Sequence, residues 1–330
     1  MKEQLFILNH GKLFCDKGTL SFIDLDNKKS TYPLTGISEI FCFGNVSLTS
    51  GIIKKVLERE LIVHFLSTYG TYQGCLQYAT LHHAKVIERQ VLFSVVLEKR
   101  LAIALELLRS LQTAQYELLA YYAKKGHNVF SLAKELKAIE FEAADSNQLR
   151  GKEAQLWKLF YEGIKRIITT FDFVSRVYHP PQGEINAMIS FGNMLLYAEV
   201  LAAIREVGLL PEIGYIHENN DQRYTLALDL AELFKPLLVF RSIIYLSNKK
   251  IIQSGDFTNQ QGYTYLNHEG KFLFVREFQQ RLKTTFFHPD LKRDLSYRSL
   301  IKQECLALKS YFLHPENGPY QSFKRWYTCF

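Results

Sequence analysis

The chain has 330 residues, of which 47% are hydrophobic and 22% are charged, a composition typical of a globular protein with one large domain or two smaller ones. This composition argues against long disordered segments. The sequence shows no signal-peptide pattern, and none of its apolar runs reaches the ~20 residues needed to span a bilayer. We therefore expect a cytoplasmic protein with no membrane partner. The formal net charge is +7, and residues 236–330 hold 14 Lys and Arg against 7 Asp and Glu. The whole cationic excess therefore lies in the last third, which favours a polyanionic partner, most often a nucleic acid.

The cysteines are scattered and include no C-x-x-C pair: Cys15, Cys42, Cys75, Cys305 and Cys329. This spacing argues against a zinc ribbon and against a disulfide scaffold. We predict reduced thiols that are mostly buried.

Residues 1–78 are predicted to form a small β domain. Short apolar or alternating runs, separated by turn-forming residues, occur at 4–8, 12–15, 19–24, 39–43, 61–66 and 71–76. One short helix is predicted at 49–59, with Thr49 or Ser50 as its N-cap. His, Cys and carboxylate residues do not occur here at metal-ligand spacing, so we expect a β-sandwich or split sheet used for packing or dimerisation.

From residue 79 the hydrophobic period changes from two to 3.6, which predicts helices. The predicted helices lie at 90–124, 131–144, 147–169 and 186–208, and a last helical stretch continues to 246. Ser146 is the predicted N-cap of the third helix, and residues 249–270 have no clear pattern. The predicted fold class is therefore α+β, with a small N-terminal β domain (1–78) followed by a larger all-α domain (79–330).

Residues 214–236, GYIHENNDQRYTLALDLAELFKP, combine one histidine with two carboxylates on an apolar helix. Asp229 and Glu232 are three residues apart and therefore project from one face. Burying them without a cation or hydrogen-bond donors would be costly. A divalent metal held by the carboxylates and His217 explains the pattern, and a capped, salt-bridged surface helix is the alternative.

Glu153 is the second unusual acid. It lies in the apolar stripe formed by Leu149, Leu156 and Phe160 on a predicted helix. The alternative is a half-exposed Glu near the helix start, which the helix dipole favours. Imidazole and carboxylates without thiolates suit Mg²⁺ or Mn²⁺ better than structural zinc.

Other catalytic motifs are absent. The chain has no G-x-x-x-x-G-K-[ST], no G-x-G-x-x-G in a strand–helix setting and no G-x-S-x-G. His217 and Glu218 begin like a zinc protease, but the sequence reads HENND, with Asp221 in place of the second histidine of H-E-x-x-H.

The C-terminal third alternates basic and aromatic residues, which suits binding of DNA or RNA, although the aromatics could equally pack helices. These residues are Arg276, Arg281, Lys283, Lys292, Arg293, Tyr297, Arg298, Lys302, Tyr311, Lys324, Arg325 and Trp326.

Three blocks in order, LRGKEAQLWKLFY, HPPQGEINAMISFGNMLLYAEV and GYIHENNDQRYTLALDLAELFKP, follow the predicted β domain. Together they resemble the CRISPR-associated integrase and endonuclease of spacer acquisition, the first of the two universal Cas proteins. The tail FQQRLKTTFFHPDLKRDLSYRSLIKQECLALKSYF is similar to the subtype that accompanies type I-B interference systems.

The resemblance implies a function and a site. Glu153, His217 and Glu232 match the family's metal ligands for Mn²⁺ or Mg²⁺, within an all-α catalytic and DNA-binding domain. Asp229 matches a further acidic position that supports the site or holds a second ion, and Lys235 a basic position that faces DNA. The implied reaction joins the 3′-hydroxyl of a protospacer to the CRISPR repeat by transesterification, with nicking of branched DNA when water attacks.

The resemblance also implies partners. These are double-stranded and branched DNA, a second copy of the chain bound through the β domain, and the small second universal Cas protein. Two alternatives are a non-catalytic nucleic-acid-binding scaffold and a general structure-selective nuclease.

Overall fold

The computed structural model describes residues 3–16, 18–78, 84–142, 145–177, 181–219, 224–260, 262–289 and 291–324. The N-terminal part contains eight strands and one helix: β1 (Glu3–Ile7), β2 (Gly11–Asp16), β3 (Thr19–Asp24), β4 (Lys29–Tyr32), β5 (Ile37–Phe43), β6 (Val46–Leu48), α1 (Ser50–Glu58), β7 (Ile62–Leu66) and β8 (Tyr72–Leu76). The predicted runs match six of these strands, and Thr49 caps α1 as predicted. β4 and β6 were not predicted.

The eight strands form two four-stranded sheets. The first has the order β1-β5-β7-β8 and the second β4-β3-β2-β6. Alternation along β5 gives each face of the first sheet a different partner. Ile40 and Cys42 face the core shared with the second sheet, whereas Phe41 and Phe43 join the core of the helical part. The first sheet is therefore buried on both faces, which explains the continuous apolar run in β5.

The remaining chain is mostly helical. Its helices are α2 (Ala84–Val95), α3 (Leu97–Lys124), α4 (Phe130–Lys137), α5 (Ser146–Ile167), α6 (Glu184–Val207), α7 (Thr225–Phe234), α8 (Arg241–Asn248), α9 (His268–Lys283) and α10 (Tyr297–Leu313). The α+β architecture is confirmed. The prediction of an all-α second part needs correction, because β9 (Phe257–Gln260) pairs with β10 (Tyr263–Leu266), and β11 (Thr285–His288) pairs with β12 (Arg293–Ser296).

Three helix boundaries also differ from the prediction. The predicted helix at 90–124 is broken at Val96, whose backbone is extended. The N-cap of α5 is Asp145 rather than Ser146, because the Asp145 carboxylate accepts hydrogen bonds from two backbone N–H groups. α4 ends at Lys137 because Gln112 donates to the carbonyls of Leu136 and Ile139 and so satisfies the helix end.

α6 is the central helix. It is long and apolar enough to cross a membrane, but 78% of its most apolar window is buried inside the protein, as in a core helix. It lies next to α7 and α10. Phe191 of α6 contacts Phe43 of the first sheet, with ring centroids 5.8 Å apart. The helix therefore connects the β-sheet core to the elements that carry the candidate site.

The helical stretch after residue 224 changes geometry at Pro236. Proline has no N–H to donate to the carbonyl four residues earlier, that of Glu232. The backbone widens into a π-helix over Lys235–Phe240 and then continues as α8. Such π segments often occur at functional sites.

Candidate metal centre

Three of the predicted site residues converge in space. Glu153 lies on α5, His217 in the loop between α6 and α7, and Glu232 on α7. One potential ligand atom from each lies within 4.8 Å of the other two. Glu153 and His217 are half-buried and Glu232 is buried. Residues from positions 153 to 232 of the chain are thus brought into one cluster of hard oxygen and imidazole donors.

Asp229 does not point into this cluster with a free oxygen. Its carboxylate is fully buried and accepts the backbone N–H groups of Tyr215, Ile216 and His217 at 2.5, 2.9 and 3.1 Å. It also accepts the His217 Nδ1–H at 2.7 Å. The hydrogen bond to Nδ1 leaves Nε2 as the ring nitrogen available to the cluster. Of its two expected roles, Asp229 therefore has the contacts of a supporting acid.

The loop that carries His217 is fixed by side chains that the sequence analysis did not single out. Gln90 of α2 donates to the Leu210 carbonyl at 2.8 Å and accepts the Leu210 N–H at 2.9 Å. The Gly214 N–H donates to Asn219 Oδ1 and Thr225 Oγ1, both at 2.9 Å. The only sequence signal for this arrangement was the set of polar residues that interrupts apolar helices.

Glu232 is asymmetric in its contacts. One oxygen forms an ion pair with Lys235 Nζ, while Oε2 is buried and has no hydrogen-bond partner among the described residues. The Lys235 ammonium lies 5.3 Å from the Trp157 ring centroid, and its side chain is 18% exposed. Lys235, expected to face DNA, is thus mostly enclosed in the site beside Glu232.

The two other ligand candidates have shifted pKa values. Burial, followed by the charge of Glu232, raises the pKa of Glu153 to about 7. Burial alone would lower the pKa of His217, but the hydrogen bond and charge of Asp229, with the charges of Glu153 and Glu232, raise it to about 9. Neighbouring negative charges contribute to both raised pKa values. The site therefore has an excess of negative charge, which favours binding of a cation.

The loop conformation agrees with the rejection of a zinc-protease site from the sequence. An H-E-x-x-H site needs a helix, and His217 and Glu218 lie in a non-helical loop. Glu218 forms an ion pair with Arg150 at 3.1 Å. Asp221 lies outside the described residues.

The family described as CRISPR associated protein Cas1 matches residues 5–280 of the chain. A CRISPR-associated endonuclease Cas1 of Clostridium perfringens is 32% identical over 99% of this chain and 100% of its own length. The chain belongs to the Cas1 family. The resemblance seen in the sequence is therefore confirmed, and the similarity to the type I-B subtype stays a prediction.

Solved structures agree with this assignment. A Cas1 protein from Thermotoga maritima superposes with a TM-score of 0.80 at 29% identity, covering 94% of this chain and 97% of that one. A casposase bound to integration product superposes with a TM-score of 0.86 at 20% identity, covering 98% of this chain and 94% of that one. A Cas6-RT-Cas1–Cas2 complex gives 0.79 at 20% identity over 98% of this chain and 36% of that one. The last two show that the fold is shared.

The basic C-terminal third of this Cas1-family chain is more neutralised than its sequence predicted. Arg281 pairs with Glu277, Lys302 with Glu206 and Lys324 with Glu106. Arg298 contacts Glu39 and Glu199, and Tyr297 is a core residue at 2% exposure. Arg276, Lys292 and Arg293 remain exposed, and Arg325 and Trp326 lie outside the described residues.

Proposed function

We propose that this chain is a divalent-metal-dependent DNA integrase and endonuclease of CRISPR adaptation. The convergence of Glu153, His217 and Glu232 is the observation that carries the proposal. It combines with membership of a family whose named relatives are endonucleases. The proposed reaction joins the 3′-hydroxyl of a protospacer to a repeat by transesterification, and nicking of branched DNA is the same reaction with water as nucleophile.

The residues present fit a divalent ion. Glu232 Oε2 is a buried carboxylate oxygen without a hydrogen-bond partner among the described residues, which is costly unless a cation approaches it. Oxygen donors from Glu153 and Glu232 with one imidazole nitrogen suit Mn²⁺ or Mg²⁺. We propose that these three side chains hold the ion, with open positions for phosphate or water oxygens.

The bound ion would polarise the phosphodiester and stabilise the charge of the transition state. Asp229 holds the His217 ring through Nδ1, which leaves Nε2 as the nitrogen that could bind the ion. Lys235 forms an ion pair with Glu232, and when an ion is bound it would keep a second positive charge in the site. Transesterification exchanges one phosphodiester for another, so no external energy source is required.

The proposed DNA contacts are to the backbone and largely independent of sequence. Because several cations of the C-terminal third pair with acids, the cations proposed to contact phosphates there include the exposed Lys249, Lys250, Arg276, Lys292 and Arg293. We further propose a cytoplasmic homodimer joined through residues 1–78, and binding of the small second universal Cas protein. The structural likeness to a complex that contains Cas2 supports this partner.

The decisive experiment is Mn²⁺-dependent half-site integration by His217→Ala. Loss of a ligand is expected to reduce strand transfer by about 100-fold or more. His268→Ala, which alters an exposed histidine on α9, is the matched control and should retain wild-type rates. Wild-type strand transfer by His217→Ala would contradict the assigned site.

Two further measurements separate the alternatives. A non-catalytic scaffold would bind no Mn²⁺ in calorimetry, and Glu153→Ala would then behave like wild type. A general nuclease would cleave branched DNA without producing joined strands. Joined products that disappear in Glu153→Ala would exclude both alternatives.

A further inference from the structure

The backbone of Tyr215–His217 is held from two opposite directions. On one side, all three N–H groups of the segment donate to the buried Asp229 carboxylate. On the other, Arg100 donates to two of its carbonyl oxygens: Nε to Tyr215 O at 2.9 Å and Nη2 to His217 O at 3.0 Å. An anion and a cation therefore clamp the same three-residue segment.

Arg100 reaches the segment from the first turn of α3, which begins just after the extended Val96. The half-buried guanidinium uses two donors in a fork that spans two carbonyls. A lysine ammonium is a point charge and cannot reproduce this planar, two-point geometry. The α2–α3 break thus starts a new helix in the position from which Arg100 reaches the histidine loop.

We propose that Arg100 is a positioning residue of the metal centre. With Asp229, it fixes the peptide plane of His217 and thereby the direction of Nε2 toward Glu153 and Glu232. This inference rests on the proposed metal-dependent function. Arg100 itself contacts neither substrate nor ion, and it acts through the His217 backbone.

The rest of the loop has separate supports, so loss of Arg100 is expected to loosen Tyr215–His217 without unfolding the chain. Gln90 fixes Leu210 and Ile213, and Thr225 fixes Glu212 and Gly214. Asp229 would keep its N–H acceptor role, but the carbonyl oxygens of Tyr215 and His217 would lose the donor that opposes it.

The test compares Arg100→Met, Arg100→Lys and the control Arg109→Met, an exposed arginine on the same helix. Calorimetry with Mn²⁺ in the absence of DNA should give an affinity about 10–100-fold weaker for Arg100→Met, as for other residues that orient metal ligands. Arg100→Lys should retain part of the affinity, and Arg109→Met all of it. In Arg100→Met, backbone amides 215–217 should exchange with solvent about 10-fold faster in metal-free protein.

The outcomes separate two kinds of failure. If wild type binds no Mn²⁺, the proposed function fails, and the amide exchange of 215–217 still decides whether Arg100 holds the segment. If wild type binds Mn²⁺ and Arg100→Met binds it equally well, the positioning role is overturned, even where its unfolding midpoint falls. The double variant Arg100→Met/Asp229→Asn tests whether the two residues act on one segment. Its loss of Mn²⁺ affinity should be smaller than the sum of the two single losses. Full additivity would also contradict the clamp.

Discussion

Asp229 and Glu232 are acids one helical turn apart, yet their surroundings assign them different roles. Asp229 accepts three backbone N–H groups and one imidazole N–H. Glu232 has one oxygen paired with Lys235 and one with no partner among the described residues. A carboxylate saturated with donors orients its neighbours, whereas a carboxylate with an unused buried oxygen is the one that can accept a cation.

Removing the charge of Glu153 should stabilise the metal-free protein. Its pKa is raised to about 7 by burial and by Glu232, so above pH 7 the folded state holds a charge that the unfolded chain accommodates more easily. Glu153→Gln is expected to increase the free energy of unfolding by about 1–3 kcal/mol at pH 8. At pH 5 the two proteins should differ little. Denaturation in chelator at both pH values tests this, and a destabilised variant at pH 8 would contradict it.

Mn²⁺ affinity should rise with pH between 7 and 9. The ion requires a neutral imidazole, and the pKa of His217 is raised to about 9, so the ion must displace a proton throughout this range. Through His217 the dissociation constant should fall about tenfold per pH unit up to about pH 8.5, and at pH 7.5 each ion should release nearly one proton from His217 and a smaller fraction of a proton from Glu153. Calorimetry in buffers of different ionisation enthalpy measures both quantities. A flat affinity profile would show that His217 is not a ligand.

At the scale of elements, the loop between α6 and α7 depends on a close approach to the start of α7. A Cβ added to Gly214 would lie 2.8 Å from Asp229 Oδ2 and 2.8 Å from the Thr225 carbonyl carbon. Such distances require backbone movement, so only glycine lets the loop lie on α7 closely enough for Asp229 to collect its N–H donors.

Gly214→Ala is therefore expected to lower the free energy of unfolding by about 1–3 kcal/mol. It should also weaken Mn²⁺ binding, because the shifted loop carries His217 away from the carboxylates. Gly151→Ala on α5 is the matched control. A Cβ there would meet no atom within 4 Å, and alanine should stabilise the helix by about 0.5–1 kcal/mol. Equal effects of the two substitutions in chemical denaturation would refute the close-approach argument.

At the scale of the whole molecule, one buried network joins the first sheet to the helices. Arg298 of α10 contacts Glu39 of β5 at 2.5 Å and Glu199 of α6 at 3.4 Å. Gln4 of β1 donates to the same Glu39 at 2.8 Å. The cation that the sequence offers as a DNA ligand is therefore a structural link between the two parts of the chain.

Arg298→Met should destabilise the protein more at high pH than at low pH. Burial, followed by the charge of Glu39, raises the pKa of Glu199 to about 8, and Arg298 opposes this rise. At pH 9 the variant must bury an uncompensated carboxylate or bind a proton, and proton binding limits the added cost to about 1.4 kcal/mol per pH unit above 8. At pH 6.5 Glu199 is protonated, so Arg298→Met should lower the free energy of unfolding by less. Denaturant titrations at both pH values, with the exposed Arg276→Met as control, test this. The same loss at both pH values would contradict it.

Much of the fold followed from local patterns, and the departures have local causes. Alternation and turn residues predicted six strands of the β part, and helical periodicity predicted α5 and α6. The hairpin β9–β10 escaped prediction because polar Asn and Gln residues conceal its alternation, and its turn relies on Gly262 in a left-handed conformation. The stop of α4 depends on Gln112, a residue from another helix, so no local pattern could place it.

The candidate ligands Glu153, His217 and Glu232 could be named from the sequence because acids on apolar helix faces are conspicuous, and because their blocks resemble a known family. Three features could not be predicted from the sequence, since each joins residues that are distant along the chain. They are the convergence of the ligands, the Nδ1 hydrogen bond of His217 and the hydrogen bonds of Arg100. The same holds for Arg298, Lys302 and Lys324, whose charge the sequence counts but whose acidic partners lie on other elements. The sequence determined the chemical types at the site, and tertiary packing decided which of them face one another, because hydrogen bonds and ion pairs depend on distances that only the folded chain defines.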